Sequence, residues 1–191
     1  MFSKALFALP FLAFSLIAAK PAPVTAPVMP SIAAPEAVAA DPANRLTLQL
    51  SNGGTVVIQM RPDIAPHHVE RIQALVRSGF YNGITFHRVI PGFMAQGGDP
   101  KGTGQGGSNL PDLKAEFSAM PFLRGTVAAA RSEQPDSANS QFFIMFSPNI
   151  GIEGNYTVWG RVIAGMDAVD RIAPGEPPPE PTKIVKATLG P

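Results

Sequence analysis

The sequence predicts a mainly β domain of eight short strands, closed as a barrel or folded as a sandwich, with two accessory helices. Three observations carry this reading. Short apolar runs recur between Gly- and Pro-rich breaks. Only two stretches after the hairpin show helical spacing. No regular β–α–β alternation is present, which argues against a doubly wound sheet.

Leu46, Leu48 and Leu50 alternate with Thr47 and Gln49, Asn52-Gly53-Gly54 breaks the run, and Thr55-Val56-Val57-Ile58-Gln59-Met60 follows. Two such runs around an Asn-Gly turn predict a hairpin. Asp63 and Pro66 then mark a helix start, since Pro is tolerated in the first turn. Val69, Ile72, Leu75 and Val76 recur at helical spacing, with Gly79 just past the end. Strand-like runs follow over 84–90, 93–96, 125–131, 141–146, 157–162 and 183–189, and a second short helix is predicted over 166–172.

This domain is predicted over 45–191. Ahead of it, residues 1–19 place Lys4 before an uncharged apolar stretch of 15 residues, Ala5 to Ala19. That is shorter than the ~20 residues a spanning helix needs. A basic start, an apolar core and small residues at its end describe a secretory signal peptide, cleaved after Ala18 or Ala19. Membrane attachment would require that the leader stay uncleaved. Residues 20–44 are rich in Pro and Ala and read as a flexible linker, because Pro lacks a donor and favours extended, solvated backbone.

Composition excludes several function classes. The chain of 191 residues has no cysteine, so disulfides, a thiol nucleophile and thiolate metal sites are absent. A net charge of +1 gives no electrostatic case for nucleic acid. His67 and His68 are adjacent and point in different directions from a helix start, a poor pattern for a metal. The Gly-rich run over 102–107 lacks the Lys-Ser/Thr of a phosphate loop and reads as a surface loop. Residues 174–181, with five prolines, read as an extended connector to the last strand.

Two segments carry chemistry. In Phe86-His87-Arg88-Val89-Ile90-Pro91-Gly92-Phe93-Met94-Ala95-Gln96-Gly97-Gly98-Asp99, an Arg lies within an apolar strand pair, where it needs a task or a partner. Strand alternation puts Phe86 and Arg88 on one face and His87 on the other, as a hydrogen-bonded core histidine. In the second segment, Ala128, Ala129 and Ala130 leave room against their strand, and Ser140-Gln141-Phe142-Phe143-Ile144 opens the next.

Both segments resemble the two signatures of the cyclophilins, the peptidyl-prolyl cis–trans isomerases. The resemblance runs from Leu46 to Leu189, and residues 130–141 look like the bacterial branch. It implies an eight-stranded antiparallel closed β-barrel capped by two α-helices. It further implies that Arg88 is the catalytic group and that Phe93, Met94, Phe143 and Ile152 form a proline pocket with Tyr156 closing one side. Gln96 would hold a peptide carbonyl. Ala130, Arg131 and Gln141 would line the groove, the backbone of Arg131 pairing with the substrate. No cofactor or metal is implied.

Two positions depart from the pattern. Gly151 stands where the family often has a rim Trp, and Tyr156 where it commonly has His. Cyclosporin, which uses that Trp, is therefore expected to bind weakly. The resemblance and the leader together predict a monomeric periplasmic isomerase acting on proline-containing peptides and unfolded exported proteins. The alternative is a non-catalytic proline-binding or chaperone module on the same barrel.

Overall fold

The computed structural model describes residues 31–190. The predicted leader over 1–19 and the first part of the linker lie outside these residues.

Eight strands form one antiparallel sheet: β1 (Arg45–Leu50), β2 (Thr55–Met60), β3 (Phe86–Ile90), β4 (Met94–Gly97), β5 (Thr126–Ala129), β6 (Phe142–Met145), β7 (Val158–Ala164) and β8 (Ile184–Leu189). The spatial order is β3-β4-β6-β5-β7-β2-β1-β8. The sheet curls until its edges meet. Phe86 donates to the Thr182 carbonyl at 2.9 Å and Ile184 to the Ile84 carbonyl at 2.8 Å, around a Thr85–Lys183 bridge. A barrel stitched in this way leaves little open edge for another chain to pair with.

The β1–β2 turn follows the predicted Asn-Gly logic. Gly53 has φ +79°, and Asn52 Oδ1 accepts from the Gly54 N–H at 3.0 Å. Helix α2 (Pro66–Arg77) buries Val69, Ile72, Leu75 and Val76, the four positions of the predicted stripe. Its cap, Ala65, has no side-chain acceptor. Glu116, from the long β4–β5 connection, takes that role by accepting from the His67 and His68 N–H groups at 3.1 and 3.0 Å. The helix predicted over 166–172 is α3 (Met166–Asp170).

The linker prediction needs revising in its second half. Residues 36–40 form a third helix, α1 (Glu36–Ala40), followed by a 3-10 turn over Pro42–Asn44. Arg61 Nη1 donates to the Ser31 and Ile32 carbonyls at 3.0 and 3.2 Å, and Gln59 Nε2 to the Asn44 carbonyl at 3.2 Å. The Pro-dense composition ends at Pro35, and Glu-Ala-Val-Ala-Ala behind it is a run of helix formers broken only by Val. The packed unit thus begins ahead of residue 45.

Alternation along the strands divides two apolar clusters. Leu46, Leu48, Val56, Ile58, Phe86, Phe142, Ile144 and Trp159 fill the barrel beneath α2 and α3. The intervening residues Met94, Ala128, Phe143, Met145 and Val158 face outward and form a second cluster with Met120 and Phe122. That outer cluster is the foundation of the site.

Candidate active site

Strand register places the candidate residues in a line. Arg88 pairs with Gln96, Gln96 with Phe143, Phe143 with Ala128, and Ala128 with Val158. One row across five strands therefore runs from a guanidinium through an amide to an apolar floor. Neighbouring strands lie about 4.8 Å apart, so Arg88 sits roughly 10 Å from the middle of the floor.

Arg88 reaches this row through a β-bulge. Phe86 opposes Gly97 while Arg88 opposes Gln96, so His87 is an extra residue on β3. Unbroken alternation would have put Phe86 and Arg88 on one face. Instead Phe86 is wholly buried in the barrel and Arg88 points outward. His87 is buried against the Gly-rich loop, where a Cβ on Gly104 would lie 3.5 Å from Nε2. Among the described residues neither His87 ring nitrogen has a partner, so it is not the hydrogen-bonded core histidine expected. Burial, with the neighbouring Arg88 charge, holds its pKa below the ordinary histidine value against the pull of Asp99.

The predicted pocket residues converge. Met94 and Phe143 are buried in the floor, and Phe93, Ala130, Ile152 and Tyr156 pack around it half-exposed. Phe143 stacks on Phe122 at 6.2 Å and meets the Tyr156 ring edge-on at 5.4 Å. Ile152 is delivered by a 3-10 turn, Ile150–Ile152. Sequence reasoning missed Phe122, Met120 and Ile64, which pack from loops outside the two signatures.

Beside this pocket lies a polar groove of about 500 Å³ whose lining includes Gln96, Gly104, Ala130, Arg131 and Gln141. Gln96 Nε2 donates to Gln141 Oε1 at 2.9 Å, and Gln141 Nε2 donates to the Gly104 and Gly106 carbonyls at 3.0 and 2.8 Å. The other Gln96 Nε2 hydrogen makes no bond among the described residues. The Ala130 N–H donates to the Gln141 carbonyl, so the backbone of Arg131 follows that rung. The Arg131 side chain has a further role. Its guanidinium lies over the Tyr156 ring at 4.8 Å and donates twice to the Asn155 carbonyl, at 3.1 and 2.8 Å.

Residues 45–189 match the family described as cyclophilin type peptidyl-prolyl cis-trans isomerase/CLD. The chain belongs to the cyclophilins. It is 54% identical over 169 residues to a probable peptidyl-prolyl cis-trans isomerase of Brucella suis, covering 80% of this chain and 86% of that protein. It is 37% identical over 142 residues to the human peptidyl-prolyl cis-trans isomerase-like 1, covering 70% and 86%. Among solved structures it is similar to a cyclophilin from Hirschia baltica, with TM-score 0.72 and 30% identity over 78% of this chain and 74% of that one. It is also similar to a Cryptosporidium parvum cyclophilin-type isomerase crystallised in the presence of the dipeptide Ala-Pro, with TM-score 0.71 and 26% identity over 77% and 99%. Peptidyl-prolyl cis–trans isomerisation is the activity of this family, and proline-containing peptides are its ligands.

In this cyclophilin the loop that frames the groove is organised by Asp99. The side chain is buried and accepts from the N–H groups of Lys101, Thr103, Gly104 and Gly106 at 2.7–3.1 Å. Burial alone would raise its pKa. The four donors outweigh that and bring it down to about 2. The Gly-rich run declined as a phosphate loop is therefore the groove wall, held in shape by one carboxylate. Among the described residues, no three His, Asp or Glu side chains converge as a metal site would require.

Proposed function

We propose that this cyclophilin accelerates Xaa–Pro rotation by aiming an Arg88 N–H at the prolyl nitrogen as the bond twists. The planar imide resists rotation by ~18–20 kcal/mol because the nitrogen lone pair is delocalised into the carbonyl. At a right-angle twist that lone pair is localised and can accept a hydrogen bond. A donor fixed over the nitrogen thus favours the twisted state and gains nothing in the planar one. A guanidinium suits the task, since it offers several donors and keeps its charge at any ordinary pH.

The observation that carries this reading is the single row Arg88, Gln96, Phe143. A proline ring seated on Phe143 is gripped by Met94, Phe93 and Tyr156, and the Gln96 amide holds a flanking carbonyl. One side of the bond is then fixed and the other can turn. A charge-assisted hydrogen bond is worth ~1.5–3 kcal/mol, or roughly 10- to 100-fold in rate. Any acceleration beyond that comes from preorganisation.

The test is cis–trans exchange of an Ala-Pro peptide, followed by NMR line broadening, with wild type beside Arg88→Ala. Acceleration by wild type and a loss of at least tenfold in the variant is the expected result. Equal activity in both would remove Arg88 from the mechanism. Binding without acceleration would make the chain a proline-binding module.

The leader at residues 1–19 supports a further part of the proposal: a periplasmic, monomeric isomerase assisting exported proteins. Fractionation and N-terminal sequencing test this. A soluble periplasmic product starting just after Ala18 or Ala19 is expected, and a product retaining Met1 in the membrane fraction would reject it.

A further inference from the structure

The Pro-rich connector read from sequence as a plain spacer brings a carboxylate to Arg88. Its ends are tied together: the Ala173 N–H donates to Thr182 Oγ1 at 3.1 Å, and the Thr182 carbonyl accepts from Phe86 on β3. Its first turn is zipped to β3 by two bonds, Val89 N–H to the Gly175 carbonyl at 2.8 Å and Gly175 N–H to the Val89 carbonyl at 3.0 Å. Gly175 has φ +141°, and a Cβ there would fall 2.6 Å from Pro178 Cα, so only glycine fits this fold of the loop. The zipped residue Val89 directly follows Arg88, and Glu176 directly follows Gly175. The two side chains are thereby set face to face. Arg88 Nε donates to Glu176 Oε2 at 2.6 Å, and both residues are about half exposed.

The atom used matters. Among the described residues Glu176 is the one side chain bonded to the Arg88 guanidinium, and it engages Nε. The terminal nitrogens have no side-chain partner among the described residues and keep their N–H groups for a ligand. A bond at Nε fixes the rotation of the guanidinium plane, which an arginine on the surface would otherwise leave free. An exposed ion pair of this kind adds little to stability, so its effect belongs to orientation.

We propose that Glu176 is a positioning residue that orients the Arg88 guanidinium toward the prolyl nitrogen. The inference rests on Arg88 being the donor, and its test separates the two ideas. Exchange of an Ala-Pro peptide is measured with the full chain as wild type, Glu176→Ala, Glu176→Gln, Arg88→Ala and the Arg88→Ala/Glu176→Ala double variant. Glu176→Ala is expected to lower kcat by roughly three- to tenfold with KM unchanged. Glu176→Gln keeps an oxygen for Nε and is expected to recover most of that loss. In the Arg88→Ala background, removing Glu176 is expected to change nothing. In 15N NMR of the wild type, the Arg88 Nε–H signal is expected to be protected from solvent exchange, and Glu176→Ala to abolish that protection.

Unchanged or faster turnover in Glu176→Ala overturns the positioning role, the second outcome meaning that the carboxylate restrains the donor. A rise in KM alone also overturns it, since Glu176 would then be touching substrate. Full activity in Arg88→Ala instead rejects the reading of Arg88 itself, and the NMR protection would then report a structural ion pair only.

Discussion

Gln141 holds Gln96 in place: its side-chain oxygen accepts from Gln96 Nε2 at 2.9 Å while its own amide donates to the Gly104 and Gly106 carbonyls. The two carbonyls fix which end of Gln141 is the donor, and so fix the orientation of Gln96 beyond it. Gln141→Glu puts a carboxylate opposite two carbonyls and breaks this chain of bonds. A hydrogen bond is worth ~0.5–1.5 kcal/mol, so KM for an Ala-Pro peptide should rise roughly two- to tenfold with kcat little changed. Steady-state measurement of both constants checks this, and an unaltered KM would disconnect Gln141 from substrate binding.

Asp99 should be among the most costly carboxylates to remove. Asp99→Ala leaves four backbone donors of the groove wall without their acceptor, a loss of about 2–4 kcal/mol. Urea unfolding of the variant beside wild type measures it, and a difference below about 0.5 kcal/mol would show that the loop holds its shape unaided. The pH dependence has a definite sign. Because the folded carboxyl titrates near pH 2 and an unfolded Asp near ~3.9, its contribution is complete above pH ~4 and fades as pH falls through about 2.

The two buried histidines act at milder pH. Burial is the main cause that lowers the pKa of both His68 and His87. The unfolded chain takes up protons near pH ~6.5 that the folded chain refuses, so stability falls as pH drops below that value and is flat above it. The slope reaches at most ~1.4 kcal/mol per pH unit for each histidine. His87→Gln should flatten it by up to half. Denaturation curves at three pH values between about 5 and 7.5 decide the matter, and stability constant across that span would contradict it. Isomerase activity, resting on a guanidinium, should stay nearly flat over about pH 6–9, and a bell-shaped profile would argue for a titrating catalyst.

At the pocket rim Gly151 offers a gain-of-function test. Its φ lies outside the left-handed region, and an added Cβ would meet only Asn149 Oδ1, at 3.2 Å. Gly151→Trp should therefore be accommodated with a small shift of Asn149. Cyclosporin binding, expected to be weak in the wild type, should tighten at least tenfold, as titration calorimetry would show. Tight binding by the wild type would remove the rim Trp from the argument.

The fold was legible because its signals are local. Leu46, Leu48 and Leu50 show period two, α2 shows a four-residue stripe, and Asn52-Gly53 marks the turn between β1 and β2. The pocket was legible because its residues lie in two contiguous motifs: alternation sends Met94, Gln96 and Phe143 outward together, and Phe93 packs against them from the turn before β4. Three features were not. The bulge at His87 inverts the side-chain phase within β3, and no residue there announces it. The α1 segment was masked by the proline content of its neighbours. The Arg88–Glu176 contact joins residues 88 apart in sequence, and it depends on a main-chain zipper that side-chain types do not encode.

The position of Trp159 has a practical consequence. It is the sole tryptophan of the chain, fully buried inside the barrel and edge-on to Phe142 at 5.8 Å. Its neighbour Val158 faces the outer cluster, so the indole and the peptide site lie on opposite sides of the same sheet. Its fluorescence will shift when water enters the barrel and will scarcely register a peptide arriving on the outer face. The protein thus carries an optical gauge of its own integrity that ligand binding does not disturb, and stability can be followed in the same cuvette in which substrate is turned over.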